Sequence, residues 1–376
     1  MRYSIKLLIL LLFCWEGLAQ ERQLSHIHFK GLKKSKPQYL KRLLTQKKDQ
    51  PYDSIKVKND LILLLREPAV SHAYTSLDTL AGGHYRLNYH IEENKTLIPA
   101  VDLWQTVNNA FAYHLGLTDY NFSGRGYTVG GFFRQNNFPG FGLILENNNF
   151  MSAKTELKVL AQQLETLEPI MVADGSANFR YRFQSVDLSL GRELNLKHKI
   201  VIGGGILGER YLLDGGEDIV GIPKTFSTTK GVGKLGYTYD YIQPYYYHLS
   251  GWRSQTYATH VWGKSITQNN TFYTLENETS YFRRINSLGN LAFRMQLGIA
   301  RNINSPFPPF AIDNNRNVRG VGNIVQRGNA FWSLNTEYRH TLFEKGWFAV
   351  QGNAFIDLAG IQPVNTSFNT LFASEN

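Results

Sequence analysis

Apolar and polar residues alternate along most of the chain from residue 98 to residue 360, in segments of about 9–17 residues separated by Gly, Asn and Pro clusters. Successive side chains of a strand point to opposite faces, so each segment predicts a strand with one apolar and one polar face. The clearest alternation runs through Leu291, Phe293, Met295, Leu297 and Ile299. Eleven such segments precede a long loop over residues 303–329, and two follow it, which predicts thirteen strands.

Strand length and aromatic placement separate two all-β architectures. Segments 200–212, 228–241 and 245–262 are two to three times the usual strand length of about 5–6 residues. Aromatic residues gather at segment ends, as in the girdles of membrane barrels: Tyr237, Tyr239, Tyr241, Tyr245, Tyr246, Tyr247, Trp252, Trp262, Tyr281, Phe282 and Trp347. We therefore expect a mainly β fold with an antiparallel transmembrane β-barrel over residues 98–376. The alternative is a secreted β-sandwich that binds glycans through exposed aromatics.

Residues 21–95 follow a different pattern, which predicts a small β-α-α-β-β domain. A first strand over 24–31 precedes a helix over 37–46, which Pro37 suits as a first-turn residue. Asp53 is a good cap for a second helix that ends before Pro68. A strand over 70–80, a turn at Gly82-Gly83 and an alternating strand over 84–93 complete the domain.

The first nineteen residues predict a signal peptide rather than structure. Arg2 and Lys6 form a charged start, an apolar run from Leu7 to Trp15 follows, and small residues end the segment at Ala19. The single cysteine of the chain, Cys14, lies inside this run, so the exported chain has no cysteine for a disulfide or a thiolate metal site.

Positive charge is concentrated near the N-terminus. The chain has a formal net charge of +10, and residues 21–95 hold 14 basic against 8 acidic residues. A run without acids comprises Lys30, Lys33, Lys34, Lys36, Lys41, Arg42, Lys47 and Lys48. In an exported protein we expect this run to be solvated or to face anionic headgroups, and we expect no nucleic-acid partner.

Three patterns resemble chemical sites but are interpreted otherwise. Gly203-x-Gly205-x-x-Gly208 has the dinucleotide spacing, yet it lies inside one predicted strand rather than between a strand and a helix. His26-x-His28 lacks a third metal ligand nearby, and the carboxylate pair Glu276 and Glu278 fits a polar barrel lumen. We therefore predict no enzyme activity and no cofactor.

Three short stretches have the character of sequence motifs: residues 117–126, residues 317–321 and residues 355–359. Together, and in this order, they resemble the BamA/TamA superfamily of outer-membrane assembly and translocation barrels, also called bacterial surface antigens. Residues 117–126, which include Gly124 and Gly126, are similar to the family's tight turn after an early strand. Residues 317–321, with Val318, Arg319 and Gly320, resemble its Val-Arg-Gly-aromatic loop motif, although Val321 replaces the aromatic. Residues 355–359 resemble its Phe-x-Asp-x-Gly strand, with Phe355 and Asp357 in place and Ala359 for the glycine.

The resemblance implies a location, a function and a clamp. The protein would lie in the outer membrane of a Gram-negative cell, with residues 21–95 as a periplasmic POTRA-like module that receives extended or unfolded polypeptide by β-augmentation, alongside possible periplasmic accessory proteins. The barrel would insert or translocate that polypeptide among outer-membrane lipids; a passive porin-like channel is the alternative. Arg319 would fold back into the lumen and pair with Glu337 and Asp357.

The resemblance also implies sixteen strands. The tail from Ile361 to Asn376 is polar, so the sequence has about thirteen strands, and we expect the last three to be missing from a truncated C-terminus.

Overall fold

A computed structural model describes residues 23–105, 111–152, 154–172, 175–215, 223–245, 247–263, 271–301, 308–312, 318–319, 326–346, 348–363, 366 and 368–372. The predicted signal peptide over residues 1–19 lies outside this part of the chain. The described residues form two compact units, one within residues 23–97 and 120–127, and one within residues 98–119 and 128–372.

The small unit has the predicted β-α-α-β-β order. Its elements are β1 (Leu24–Lys30), α1 (Pro37–Leu43), α2 (Ser54–Leu65), β2 (Val70–Thr79) and β3 (Tyr85–Glu93). The sheet order is β1-β3-β2, with β3 parallel to β1 and antiparallel to β2. Helix α1 ends three residues before the prediction, because the chain at Leu44 has an extended backbone (ψ 138°).

The small unit combines an apolar core with one buried acid. Leu24, Leu40, Leu64 and Leu87 are each at most 1% exposed. Asp60 on α2 is fully buried; it accepts hydrogen bonds from the Tyr89 hydroxyl (2.8 Å) and from the backbone N–H of Gln46 (3.1 Å). A buried carboxylate needs such partners to offset its desolvation. Asp60 therefore fixes the chain that leaves α1 against α2.

The large unit contains the barrel sheet, with thirteen strands among the described residues. They are β4 (Leu97–Gln105), β5 (Phe111–Phe122), β6 (Tyr127–Asn136), β7 (Phe138–Asn147), β8 (Thr155–Val172), β9 (Gly175–Glu193), β10 (His198–Leu213), β11 (Thr225–Tyr245), β12 (His248–Gly263), β13 (Phe272–Ile285), β14 (Gly289–Ala300), β17 (Ala330–Lys345) and β18 (Phe348–Gln362). Each strand lies beside its neighbour in this order, and β14 lies beside β17. The hairpin β15 (Phe310–Ile312) and β16 (Gln326–Gly328) lies between them in sequence.

This architecture confirms the predicted mainly β fold and antiparallel barrel. Strands of 12 to 21 residues from β8 to β14 are longer than a soluble sheet requires. Strand β8 continues eight residues past the predicted end at 164, because Glu165 to Val172 still pair with β9 despite Pro169. The sixteen strands and the missing C-terminus stay predictions. Among the described residues, no helix is long and apolar enough to cross a membrane.

The two faces of the barrel sheet differ as the alternation predicts. A row of paired residues on one face is apolar and exposed: Ile202, Leu235, Ala258, Leu275 and Ile299. The opposite face, which we call the lumen face, carries Glu278 and Gln296, whose side chains hydrogen-bond at 2.8 Å. Polar residues on one face and apolar residues on the other are typical of a strand between lipid and a wet interior.

One polar cluster departs from the alternation on the outer face. The Asn277 amide donates to the hydroxyls of Thr256 (2.9 Å) and Ser254 (3.1 Å), and the Ser254 and Thr279 hydroxyls are 2.8 Å apart. All four side chains share a face with Leu275 and Tyr281. Because the cluster supplies its own partners, it avoids the cost of unpaired polar groups in an apolar environment.

Candidate functional site

The described part of the long loop folds against the lumen face. Phe310, Ile312 and Val318 from the loop are buried in one apolar cluster with Phe331 on β17 and Ile361 on β18. The sequence has the apolar anchors for this, since Phe310 and Ile312 share one face of the short strand β15. The cluster brings the neighbouring residue Arg319 to the wall of the barrel.

A glycine makes room for this cluster. The rings of Phe310 and Phe331 lie 5.1 Å apart at a 50° tilt, beside Gly298 on β14. A Cβ at Gly298 would lie 2.4 Å from the Phe331 ring and 3.0 Å from the Phe310 ring. A side chain at position 298 would therefore displace the aromatic pair that holds the loop.

Arg319 pairs with both acids that the sequence predicts. Its Nε and Nη2 donate to the two carboxylate oxygens of Asp357, each at 2.8 Å, and its backbone N–H donates to the same carboxylate at 2.8 Å. Its Nη1 donates to Glu337 at 2.5 Å. The guanidinium carbon lies 3.8 Å from the centre of the Phe355 ring. Asp357 is nearly enclosed, with 2% of its side chain exposed.

Strand register places these partners on one face. Asn335 pairs with Asp357, and Glu337 pairs with Phe355, across β17 and β18. Residues two apart on a strand share a face, so Glu337 and Asp357 both point toward the lumen side. The two-point bond to Asp357 is the strongest kind of arginine–carboxylate contact, and the aromatic ring adds a cation–π interaction.

The sequence did not predict one member of this site, Arg339, or the role of another, Phe355. Arg339 donates to the second oxygen of Glu337, so Glu337 bridges two arginines. Arg339 lies two residues from Glu337 on the same strand, so the two side chains share a face. That spacing could have predicted their contact from the sequence. The Phe355 ring under Arg319 was predicted only as part of a motif. Gly320 of the motif and Val321 lie outside the described residues.

The predicted tight turn lies within the small unit. Gly124 and Gly126 have positive φ angles of 73° and 71°. The Gly124 carbonyl accepts the Lys36 N–H at 2.7 Å, and a Cβ at Gly124 would lie 2.0 Å from the Lys34 carbonyl oxygen. Gly126 lies against the Tyr39 ring, and a Cβ at Gly126 would lie 2.4 Å from that ring. Only glycine satisfies both the backbone angle and the close contact.

A side-chain amide completes the turn. The side-chain Oδ1 of Asn121 accepts the Gly126 N–H at 2.8 Å, and the side-chain Nδ2 of Asn121 donates to the Ser35 hydroxyl at 2.9 Å. Asn121 is 1% exposed. The turn is therefore held both internally and against the segment that leads into α1.

The glycine, carboxylate and histidine patterns that resemble chemical sites lie on strands of the two sheets. Gly203, Gly205 and Gly208 lie inside β10, which pairs on both sides with β9 and β11. Glu278 on the lumen face accepts from Arg294 at 3.2 Å. His26 and His28 share a face of the edge strand β1.

These features define an antiparallel β-barrel with a loop arginine clamped on its lumen face. The solved structures that share this fold include the following three. BamA from Haemophilus ducreyi, crystallised without POTRA domains 1–3, is 15% identical over 92% of this chain and 73% of that chain, with a TM-score of 0.62. CdiB from Escherichia coli is 12% identical over 93% and 68%, with a TM-score of 0.66. CdiB from Acinetobacter baumannii is 13% identical over 93% and 65%, with a TM-score of 0.62.

No family model matches the sequence, and no curated protein matches it. At identities of 12–15%, the similarity to BamA and CdiB establishes the barrel fold.

Proposed function

We propose that this protein is an outer-membrane barrel that inserts or translocates polypeptide, and that its N-terminal module lies in the periplasm. The observation that carries the proposal is the Arg319 clamp on Glu337 and Asp357, in a barrel whose fold is that of BamA and CdiB. The clamp would hold the long loop in the lumen while the barrel works. No nucleotide is required, because substrate strands gain their own hydrogen bonds as they pair.

An open sheet edge in the small unit supports the proposal that this unit receives the polypeptide substrate. In the order β1-β3-β2, the outer edge of β2 has no strand partner among the described residues. The start of β1 is covered, since Leu24 exchanges backbone hydrogen bonds with Asp49 and Gln50 at 2.8 and 2.9 Å. Strand β2 also exposes Tyr74 and Leu77. An open edge with apolar side chains is suited to the addition of an extended peptide strand.

Site-specific photo-crosslinking in living cells tests this step. A photoreactive residue at position 74, on the edge strand β2, is expected to capture newly exported outer-membrane or secreted polypeptide. The matched control is Ile55, which is 72% exposed and lies on helix α2 rather than on strand β2. Equal capture at both positions, or none at Tyr74, would count against β-augmentation.

A porin-like channel is the competing function, and the loop contacts argue against it. The loop side chains buried against Phe331 and Ile361 occupy space on the lumen side. We expect low, intermittent conductance in a planar bilayer. A large steady conductance that survives deletion of residues 21–95 would support the porin instead.

A further inference from the structure

Three arginines lie together on the apolar outer face of the barrel sheet, on the neighbouring strands β9 and β10. Strand pairing places Arg182 directly beside Arg210, and Arg180 lies two residues from Arg182 on β9. All three share this face with Val186 and Ile206, which pair with each other and are 57% and 65% exposed. We call Arg180, Arg182 and Arg210 the arginine cluster.

The direction of the strands places the cluster at one end of the barrel sheet. Strand β5 ends and β6 begins at the turn over residues 123–126, which belongs to the small unit. Successive strands run in opposite directions, so β9 begins at the other end of the sheet, and the cluster lies in its first part. With the small unit in the periplasm, as proposed above, the cluster would lie at the level of the outer leaflet.

One buried acid orients two of the three arginines. The Glu165 carboxylate accepts hydrogen bonds from Arg180 Nε and from Arg182 Nε, the latter at 2.7 Å, and Glu165 is only 5% exposed. The side chains of Arg180 and Arg182 are still 37% and 39% exposed. Three guanidinium groups against this one carboxylate leave a local excess of positive charge, which faces outward.

Arg210 is the cation of the cluster that Glu165 does not bind. It is exposed, and within the described part of the chain its side chain forms no ion pair or hydrogen bond. Its neighbour across the strand pair is Arg182, and like charges directly opposite each other on neighbouring strands are destabilising. An anion bound between the two guanidinium groups would turn this repulsion into two attractions.

A polar notch separates the cluster from the apolar part of the outer face. Gly208 lies between Ile206 and Arg210 on β10, and a Cβ there would lie 3.9 Å from the nearest described atom, the Gln184 carbonyl oxygen. The Gln184 side chain beside it is exposed and donates to the side chain of Gln163 at 2.5 Å. Along the strands, the outer face therefore changes from apolar residues to amides beside an open notch, and then to arginines.

We propose that the arginine cluster binds the phosphorylated sugar headgroup of an outer-leaflet glycolipid of the lipid A type. The phosphate would lie between Arg182 and Arg210, because the planar donors of arginine match two phosphate oxygens at once. The sugar would lie in the notch at Gly208, where the Gln184 amide faces its hydroxyls, and an acyl chain would lie along Ile206. The inference rests on the membrane orientation proposed above and adds a specific lipid site to it.

The test uses the full chain, extracted from the outer-membrane fraction in mild detergent and analysed by native mass spectrometry with added lipid A. We expect one retained lipid A per chain, and much less phosphatidylglycerol or dephosphorylated lipid A at equal concentration. Arg210→Gln should lower retention about tenfold, which corresponds to about 1.4 kcal/mol, because a charge-assisted bond to phosphate is lost. Gly208→Phe should lower retention by filling the notch.

The matched control is Arg192→Gln. Arg192 is exposed on the same face of β9 near the other end of the strand, where it donates to the Ser152 and Thr155 hydroxyls, so its loss should leave retention unchanged. The site is wrong if Arg210→Gln and Gly208→Phe both retain lipid A as the unaltered chain does, if Arg192→Gln lowers retention equally, or if phosphatidylglycerol is retained equally well. A chain recovered outside the outer-membrane fraction would instead contradict the proposed location, and the site with it.

Discussion

At the scale of single residues, Arg319 combines three interactions that depend on the shape of its side chain. The two-point bond to Asp357, the bond to Glu337 and the stack on Phe355 all use the planar guanidinium. A lysine would keep the charge but lose the two-point geometry and most of the stacking. The shape of arginine, and not only its charge, is therefore what we expect the site to require.

We predict that Arg319→Lys lowers the free energy of unfolding by about 1–3 kcal/mol, because Asp357 loses donors while it stays enclosed. The temperature at which the compact band disappears in semi-native electrophoresis measures this change. Arg253→Lys is the control, since Arg253 pairs with Asp240 where both side chains are at least one-third exposed. That exposed pair should contribute less than about 1 kcal/mol to the free energy of unfolding. Equal shifts in the two variants would contradict the clamp.

A second residue-scale prediction concerns Glu93 in the small unit. Burial alone would raise the pKa of this carboxyl, but hydrogen bonds from Ser35, Lys34 and Lys33 outweigh it and lower the pKa. The three backbone N–H groups lie 2.8–3.0 Å from the carboxylate. Because the folded pKa is depressed, the stabilisation is complete above the ordinary value of about 4.3 and is lost as the pH falls through the folded value.

We expect hydrogen exchange in residues 33–43 to lose protection below about pH 4, after correction for the intrinsic exchange rate. Glu93→Gln should reduce protection at pH 7 and remove this pH dependence. If the variant shows the same acid transition as the unaltered chain, another group is responsible.

At the scale of elements, the alternation of residue types predicted the strands and their faces, but not the contacts between distant elements. Glu337 and Asp357 could be placed on the lumen face from their own strands alone. The anchoring of Val318 by Phe310 and Ile361 could not, because it joins residues that are far apart in sequence. The outward Asn277 cluster escaped prediction for the same reason, since its partners lie on the neighbouring strand β12.

The turn that contains Gly124 also belongs to this scale. We predict that Gly124→Ala destabilises the small unit by more than the roughly 1 kcal/mol expected from its positive φ alone, since the new Cβ meets the Lys34 carbonyl. Gly83→Ala is a matched control, because Gly83 has a similar φ of 75° and nothing within 4 Å. Protease sensitivity of residues 23–97 in the full chain compares the two. Equal sensitivity would mean that the Lys34 contact is dispensable.

At the scale of the whole molecule, the two units have different surfaces. The small unit is basic and has an open sheet edge at β2, whereas the barrel sheet has an apolar outer face and a polar lumen face. The sequence places its predicted division near residue 96, where the pattern of residues changes. It could not identify a substrate, because the open edge would pair with the backbone of an extended chain and backbone pairing is largely independent of side-chain identity.

Depletion of the protein in its native host tests the central claim most directly. Quantitative proteomics of the outer membrane and of the medium should show a selective loss of one or a few proteins, restored by the unaltered chain and not by Arg319→Ala expressed at equal level in the membrane. An unchanged protein composition after depletion, with only altered uptake of small solutes, would contradict polypeptide insertion or translocation.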